Sequence, residues 1–176
     1  MNVLDWQQYY LESSGPKPFG ESPAYTICAD FLNGFDVEDW GCGYGWFKTL
    51  HTGGYKGIDG VHTGHEDIIA DLSQYLSNTP AIFMRGVIEY NSNWKDILYN
   101  CMDSANDRIA LVVTTSESSW QVLEIVGAQC TDDFWNEITL MLKNEGWSGR
   151  FTIINNHELQ YREAVWLAER EDNEGS

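Results

Sequence analysis

A short run of glycines in the first half of the chain has the residue types and spacing needed to hold a nucleotide-like ligand. Segment 39–45 reads Asp-Trp-Gly-Cys-Gly-Tyr-Gly and directly follows an apolar stretch. Glycines in such a turn leave backbone amides bare and let a ligand approach the chain without meeting a Cβ. The segment therefore predicts a ligand-binding turn, although glycine-rich turns also serve as purely structural corners.

The same segment argues against a nicotinamide dinucleotide as the ligand. The fingerprint for that ligand is Gly-x-Gly-x-x-Gly, in which the last glycine lets a helix pack closely on the strand. Counted from Gly41, that last position is occupied by Trp46. A large aromatic residue there excludes the dinucleotide interpretation.

Acidic residues follow the next apolar segments in order. One segment ends at Asp59, the next ends at Asp71-Leu72, and a longer apolar run over 81–89 ends at Glu89. An acid after each of two successive predicted strands is harder to obtain by chance than a glycine turn alone. The combination strengthens the prediction of a ligand site.

These features resemble the motifs of class I S-adenosylmethionine-dependent methyltransferases. The first motif of that family is Asp-x-Gly-Cys-Gly-x-Gly after an apolar strand, which segment 39–45 matches. The resemblance covers roughly residues 20–170, in the order that such a fold demands. It implies a Rossmann-like α/β fold with a mostly parallel sheet, a C-terminal antiparallel hairpin and helices on both faces. It also implies S-adenosylmethionine as the cofactor and methyl transfer as the reaction.

The resemblance assigns cofactor contacts to the glycine turn and to the acids after the second and third strands. In it, Asp59 is the acid that accepts hydrogen bonds from both ribose hydroxyls, a task for which a carboxylate has two acceptor oxygens. Asp71 and Leu72 are similar to the pair beside the adenine. The full set of cofactor-binding candidates is Asp39, Gly41, Cys42, Gly43, Gly45, Asp59, Asp71 and Leu72.

The resemblance also places the methyl acceptor near the end of the fourth strand, where the candidate catalytic residues are Glu89, Tyr90 and Trp94. Tyr90 stands where many small-molecule methyltransferases have His. In-line methyl transfer depends mainly on positioning, so neither a nucleophile nor a metal is expected from the protein. For two of the candidate site residues, a structural role is an alternative to a functional one. Asp71 could equally cap the following turn, and Glu89 could hold a loop amide, which is the interpretation that we favour for Glu89.

The chain departs from the family pattern between the second and third strands. Asp59 and Ile68 are too close in sequence for the crossover of a dozen or more residues that parallel neighbours normally require. The usual helix is therefore expected to be absent. Either the third strand, expected over 68–72, is an edge fragment, or the adenine side is built differently.

Periodicity and end signals predict the elements that carry these residues. Strands are expected over 35–40, 55–59, 68–72, 81–89 and 108–115, the last covered on both faces. Two short strands, 151–155 and 164–168, are expected to form the hairpin. Helices are expected near residues 6–10, after Ser22-Pro23, after a Ser92 cap with Trp94, Ile97, Leu98, Cys101 and Met102 on one face, and over 132–145.

Length and composition limit the domain organisation. The chain has 176 residues, of which 43% are hydrophobic, and this suffices for one core but not for two ordinary domains. We expect a helical arm or lid over 1–20, a cofactor-binding domain over 21–170 and a disordered acidic tail over 171–176. The aromatic residues proposed to cover the ligand are Trp6, Tyr9, Tyr10 and Phe19.

Charge excludes some partners. Ten basic residues against 27 acidic ones give a formal net charge of −17, which repels a phosphate backbone and argues against free nucleic acid. No apolar run reaches the ~18 residues of a membrane helix and the N-terminus lacks signal-peptide features, so a cytoplasmic protein without a membrane partner is expected. The four cysteines form no Cys-x-x-Cys pair and are expected to be reduced. His62 and His65 lack supporting ligands, so no metal site is expected.

The sequence therefore favours an S-adenosylmethionine-dependent methyltransferase acting on a small molecule or a protein. Two alternatives remain open: a non-catalytic S-adenosylmethionine-binding regulator or methyltransferase partner subunit, and an enzyme that consumes S-adenosylmethionine itself. The chain has no inserted substrate domain, so the acceptor site has to come from the arm, the loops or another subunit. A homo-oligomer is accordingly one of the expected arrangements.

Overall fold

The fold is taken from a computed structural model that describes residues 6–12, 22–115, 132–156 and 161–171. Four α-helices are described: α1 (Trp6–Glu12), α2 (Pro23–Phe31), α3 (Trp94–Ser104) and α4 (Asp132–Asn144). The described strands are β1 (Val37–Trp40), β2 (Tyr55–Asp59), β3 (Ile68–Ile69), β4 (Thr79–Arg85), β5 (Ala105–Thr115), β6 (Trp147–Asn156) and β7 (Tyr161–Arg170). The predicted lid residue Phe19 and the tail beyond Glu171 lie outside the described residues.

The strands form one mixed sheet in the order β3-β2-β1-β4-β5-β7-β6. Strands β1 to β5 run parallel, whereas β7 is antiparallel to both β5 and β6. The predicted architecture, a mostly parallel sheet with a C-terminal antiparallel hairpin, is confirmed. The carboxyl ends of β1 to β4 therefore lie along one edge, where α/β proteins of this kind bind ligands.

Both faces of the sheet are covered. One face packs against α3 and α4 through a cluster that includes Trp40, Ile82 and Leu98, and the other packs against α2 through Cys28 and Phe83. All residues of β5 from 109 to 113 are fully buried. This confirms the prediction that segment 108–115 is an interior strand covered on both sides.

The third strand is an edge fragment. It has two residues, and Ile68 pairs in parallel with Ile58 of β2 although segment 60–67 between them contains no helix. Parallel pairing without a helical crossover is feasible here because only two residues of β3 need to reach the sheet. Of the two expectations for this region, the edge fragment is correct.

The fourth strand ends earlier than the sequence indicates. β4 stops at Arg85, Gly86 takes a positive φ of 68°, and Ile88–Tyr90 form a single 3₁₀ turn. The prediction that the strand runs to Glu89 is wrong. A continuous apolar run has the same sequence pattern in a buried strand and in a buried turn, so the pattern does not show where the strand ends. The predicted Ser92 cap is also wrong, since Asn93 occupies the N-cap position of α3.

The remaining elements follow the predicted pattern with longer strands. α2 begins where expected, with the Ser22 hydroxyl accepting a hydrogen bond from the amide of Ala24 at 3.1 Å. The hairpin strands are each ten residues long and extend past the predicted 151–155 and 164–168. The hydrophobic pattern marks only their core-facing part, whereas the backbone ladder continues into exposed residues. None of the described helices has the length and hydrophobicity needed to cross a bilayer.

Candidate functional site

A cavity of about 490 Å³ opens at the carboxyl edge of the sheet. Every parallel strand from β1 to β4 contributes residues that follow its last position, and α1 covers the outer side. The volume of the cavity lies in the range of small-molecule sites, about 300–1,000 Å³. The described lining residues are Trp6, Tyr10, Gly41, Asp59, Gly60, Val61, Asp71, Leu72, Gly86, Val87, Asn91, Asn93 and Ile97.

The glycine turn closes tightly on its neighbours. Gly41, Gly43 and Gly45 all have positive φ, at 76°, 52° and 66°. A Cβ on Gly41 would lie 2.3 Å from Cγ2 of Val87, and a Cβ on Gly43 would lie 2.9 Å from the Tyr10 hydroxyl. The turn therefore requires glycine both for its backbone conformation and for the close approach of the segments that surround the cavity.

The amides of this turn are engaged within the protein. Gly41 and Cys42 both donate to the carbonyl of Ile58, at 2.8 and 3.1 Å, and Gly45 donates to the carbonyl of Cys42 at 2.8 Å. These bonds tie the turn to β2, and they correct the expectation that its amides would be bare. The Cys42 thiol is buried, and burial raises its pKa, so it is a packing group rather than a nucleophile.

Asp59 lies on the cavity wall and holds two loops in place. Its carboxylate accepts hydrogen bonds from the amide of Gly43 at 3.0 Å and from the amide of Val61 at 3.2 Å. Burial raises the pKa of Asp59, and the backbone hydrogen bonds oppose this shift. A carboxylate has about four acceptor positions, and those not used by backbone amides can accept from a hydroxyl group of a ligand in the cavity.

Asp39, the other acid of the first motif, lies in a different environment. It is buried, is not among the described lining residues, and accepts a hydrogen bond from the Tyr55 hydroxyl at 2.8 Å. Burial raises the pKa of Asp39 to about 7, the Tyr55 hydrogen bond lowers it, and the neighbouring charge of Asp59 raises it further. The burial of this carboxylate therefore favours its protonated form relative to a free aspartate.

Asp71 and Leu72 both line the cavity. The Asp71 carboxylate also accepts from the amide and the hydroxyl of Ser73, at 2.9 and 2.8 Å, and so caps the following turn. The side chain of Asn100 on α3 donates to the carbonyl of Leu72 at 3.0 Å. The capping alternative for Asp71 and its place on the cavity wall are thus compatible.

The three candidate catalytic residues are near the cavity but are not among its described lining residues. Glu89 is fully buried, and Trp94 is 5% exposed with its ring 4.9 Å from that of Phe134. Tyr90 is half-buried, and its ring meets the cavity-lining Trp6 edge-on at 5.3 Å. The structure therefore brings Tyr90 against the arm at the edge of the cavity, and it packs Glu89 and Trp94 behind the wall.

Two asparagines in the same region were missed by the sequence reasoning. Asn91 and Asn93 lie between the 3₁₀ turn and α3, and both line the cavity. Asn91 donates from its side chain to the carbonyl of Val87 at 2.7 Å, which fixes the loop. The available signal was a pair of amide side chains between a strand and a helix. Because the strand was expected to end at Glu89, the sequence prediction named Glu89 and Tyr90 instead.

Helix α1 closes the outer side of the cavity. Trp6 and Tyr10 line it, and the Tyr10 ring meets Tyr44 of the glycine turn edge-on at 5.2 Å. Between them, the Gln7 side chain donates to the carbonyl of His62 and accepts from its amide, both at 3.2 Å. The arm thus contacts both the glycine turn and the loop after β2.

The Glu66 carboxylate gathers several donors within the loop that receives Gln7. Glu66 accepts from the amide of Thr63 at 2.9 Å, from the Thr63 hydroxyl at 2.7 Å and from the amide of His65 at 3.1 Å. Burial would raise the pKa of Glu66, but these hydrogen bonds, with one to the ring of His62, lower it strongly. No group of three or more His, Cys, Asp or Glu within the described ranges is placed to hold a metal ion.

Solved structures with a similar fold include methyltransferases and a cyclase. Magnesium protoporphyrin IX methyltransferase from Synechocystis PCC 6803, with bound S-adenosylhomocysteine, superposes with a TM-score of 0.64 at 19% identity over 94% of this chain and 92% of that one. N-methyltransferase NodS from Bradyrhizobium japonicum WM9, also with S-adenosylhomocysteine, gives a TM-score of 0.70 at 12% identity over 97% and 99%. The [4+2]-cyclase SpnF gives 0.64 at 10% identity over 91% and 85%.

No protein-family model matches the sequence, and no curated protein matches it significantly. The structural likeness therefore defines the fold: the chain has the Rossmann-like fold of class I S-adenosylmethionine-dependent methyltransferases. The cyclase shows that this fold does not by itself fix the reaction.

Proposed function

We propose that the protein binds S-adenosylmethionine in the cavity at the carboxyl edge and transfers its methyl group to a small-molecule or protein acceptor. The observation that carries this proposal is the pairing of the Cβ-free turn at Gly41 with the Asp59 carboxylate on one cavity wall. Bound S-adenosylhomocysteine in two neighbours of the same fold supports the choice of ligand.

The residues present fit this cofactor. Asp59 would accept from the ribose hydroxyls with the acceptor positions that backbone amides leave unused, and Gly60, Val61 and Leu72 would border the adenine. The turn at Gly41 would leave room for the methionine portion, because a side chain there would displace Val87 into the cavity. Asp39, Cys42, Gly43 and Gly45 would act indirectly, by holding the turn in this shape.

When bound, S-adenosylmethionine supplies an electrophilic methyl group on a positively charged sulfur. Such a displacement needs no nucleophile from the protein, only an acceptor held in line with the leaving sulfur. Trp6 and Tyr10 on α1 would exclude water from this geometry and fix the acceptor side of the cavity. We assign Tyr90 to the same task through its contact with Trp6, and Glu89 and Trp94 to support of the loop that carries Asn91 and Asn93.

Thermal unfolding with added ligand tests the binding step. S-adenosylmethionine and S-adenosylhomocysteine should both raise the melting temperature, because a ligand that binds only the folded state stabilises it by mass action. NADH should not. A shift with NADH and none with S-adenosylmethionine would overturn the proposal.

Label transfer tests the reaction. Incubation of the pure protein with methyl-labelled S-adenosylmethionine and cell extract should move label to an acceptor and produce S-adenosylhomocysteine. Methylthioadenosine or homoserine lactone as the product would instead show that the cofactor is consumed, and binding without any product would indicate a regulator.

A matched pair of variants tests the role of the Tyr90 side chain. Tyr90→Ala should lower label transfer at least tenfold while the affinity for S-adenosylhomocysteine changes less than about threefold, because Tyr90 would position only the acceptor side. Tyr99→Ala removes an exposed tyrosine of α3 that is not among the described lining residues and should change neither quantity. Equal effects of the two changes would remove Tyr90 from the site.

A further inference from the structure

The sheet ends in a strand whose outer edge is unusually open. β6 pairs with β7 on one side, and no described strand pairs with its other side. All side chains from 148 to 153 are exposed, including the large apolar residues Phe151, at 43%, and Ile153, at 39%. Natural edge strands are normally protected by Pro, by inward charges, by bulges or by being short.

β6 has few of these protections. It is ten residues long, contains neither Pro nor an acidic residue, and carries Arg150 as its single charge. Its pairing with β7 is continuous from Trp147 to Asn156 without a bulge. The strand is therefore an edge to which another strand can be added.

Charge favours a second copy of this chain at the edge. A protein with a formal charge of −17 repels itself over most of its surface, but β6 presents no acid in a chain that has 27. At physiological salt the repulsion between charges beyond about 8 Å is screened, so two copies can approach along a strand that carries no acid of its own.

The order of residues along β6 is self-complementary. Phe151 and Ile153 lie on the face shared with α4, since they pair with Trp166 and Ala164 of β7. A two-fold axis perpendicular to the sheet at Thr152 would keep each face of one sheet continuous with the same face of the other. It would form two equivalent pairs, each with Phe151 of one copy opposite Ile153 of the other. It also places Thr152 opposite Thr152. Aromatic to β-branched pairs and Thr–Thr pairs are among the favourable cross-strand combinations.

We infer that two copies of the chain associate by antiparallel pairing of their β6 strands about Thr152, which joins the two sheets into one. Because paired strands run in opposite directions, the two cavities open at opposite edges of the joined sheet. The cofactor sites are then separate, and dimerisation leaves cofactor affinity unchanged.

Cysteine crosslinking tests both the association and its register. A Thr152→Cys variant should form a covalent dimer under mild oxidation, because opposing residues in an antiparallel pair have Cα atoms within disulfide distance. The variant is made in a Cys130→Ser background, since the other three native cysteines, Cys28, Cys42 and Cys101, are buried. Ser148→Cys in the same background is the control. In the proposed register the two introduced thiols would lie ~27 Å apart, so crosslinking should be at least tenfold slower.

Sedimentation of the unmodified chain gives an independent measurement. The weight-average mass should rise toward that of a dimer over about a hundredfold increase in concentration, as for a reversible association. Ile153→Glu should hold the chain as a monomer with an unchanged melting temperature, because the residue is exposed and the new acids would face the partner strand. A wild-type chain that stays monomeric throughout, or equal crosslinking at positions 148 and 152, would overturn the inference and leave the edge to a different partner.

Discussion

Three buried carboxylates, Glu163 in one half of the sheet and Asp39 and Asp59 in the other, have different kinds of partner. In the hairpin half, β5 to β7, Glu163 is fully buried and accepts from the guanidinium of Arg85, with its closest contact at 2.6 Å, and from the hydroxyl of Ser22. In the cavity half, β1 to β4 with the loops after them, Asp39 and Asp59 accept from a tyrosine hydroxyl and from backbone amides. No described Lys, Arg or His forms an ion pair with either aspartate.

The difference separates stability from binding. A cation neutralises the Glu163 charge and leaves it nothing further to attract, so this residue serves the fold. Burial raises the pKa values of Asp39 and Asp59, their neutral hydrogen-bond donors lower them, and no described cation neutralises either carboxylate, so the one on the cavity wall, Asp59, is left for a ligand. The halves can therefore be tested separately, by changes that affect unfolding in one and ligand affinity in the other.

The largest effect is expected in the hairpin half. Glu163→Gln removes the charge opposite a buried Arg85 and should lower the free energy of unfolding by about 3–5 kcal/mol, the range for breaking a buried pair. Glu169→Gln is the matched control on the same strand, since its pair with Arg108 is exposed and should contribute less than about 1 kcal/mol. Chemical denaturation measures both. Equal losses would show that burial does not distinguish the two pairs.

In the cavity half, the turn should be the most sensitive point for the ligand. Gly41→Ala should reduce S-adenosylhomocysteine affinity more than tenfold, because the new Cβ would overlap Val87 on the cavity wall. Gly34→Ala is the control. Gly34 has a similar positive φ of 84° but nothing within 4 Å of its Cβ position, so it should cost only the backbone strain of about 1–2 kcal/mol. Unchanged affinity in the Gly41 variant would make the turn a structural corner.

The Asp59 carboxylate should come next. Asp59→Ala should weaken cofactor binding by about 1.5–3 kcal/mol, the range for hydrogen bonds to a charged group. Asp71→Ala should have a smaller effect, because the hydrogen bonds that Asp71 makes within the protein go to Ser73 of its own turn. Titration calorimetry of both variants compares them directly, and a larger loss for Asp71 would reverse the assignment of the two acids.

A further effect is a change in pH dependence at Asp39. Its pKa is about 7 in the folded state, above the unfolded value, so its protonation stabilises the fold at low pH and this contribution is lost as the pH rises through 7. The Asp39→Asn variant lacks this pH-dependent contribution to stability, because an amide does not titrate. The stability of wild type relative to the variant should therefore increase as the pH falls from 8 to 5 in denaturation experiments. Parallel pH profiles would show that Asp39 does not titrate in this range.

Several features of the fold and of the candidate site could be predicted from the sequence, because they are local. The glycine turn, the acid at Asp59 and the missing crossover helix are readable from residue types and spacing, and each is found where expected. The strand end at Arg85 could not be read in the same way. Ile88 is fully buried whether its segment is strand or turn, and Gly86 alone does not show which. The site prediction therefore missed Asn91 and Asn93.

Contacts between distant segments were also beyond the sequence. The position of Asp39 behind the cavity wall depends on the pleat of β1, which alternates successive side chains between the two faces of the sheet. The ion pair between Arg85 and Glu163 joins two strands far apart in the chain. Neither leaves a periodic or compositional signal.

The short loop between β2 and β3 has a consequence for the order of folding. Ile58 pairs with Ile68 only ten positions later, whereas the β1–β4 pairing joins Asp39 to Phe83. Closing a short loop costs less entropy, and contacts between nearby residues form faster than distant ones. The parallel β2–β3 pair, with its loop held by Glu66, is therefore expected to form early in folding. The wall that carries Asp59 would then be in place before the central strands meet.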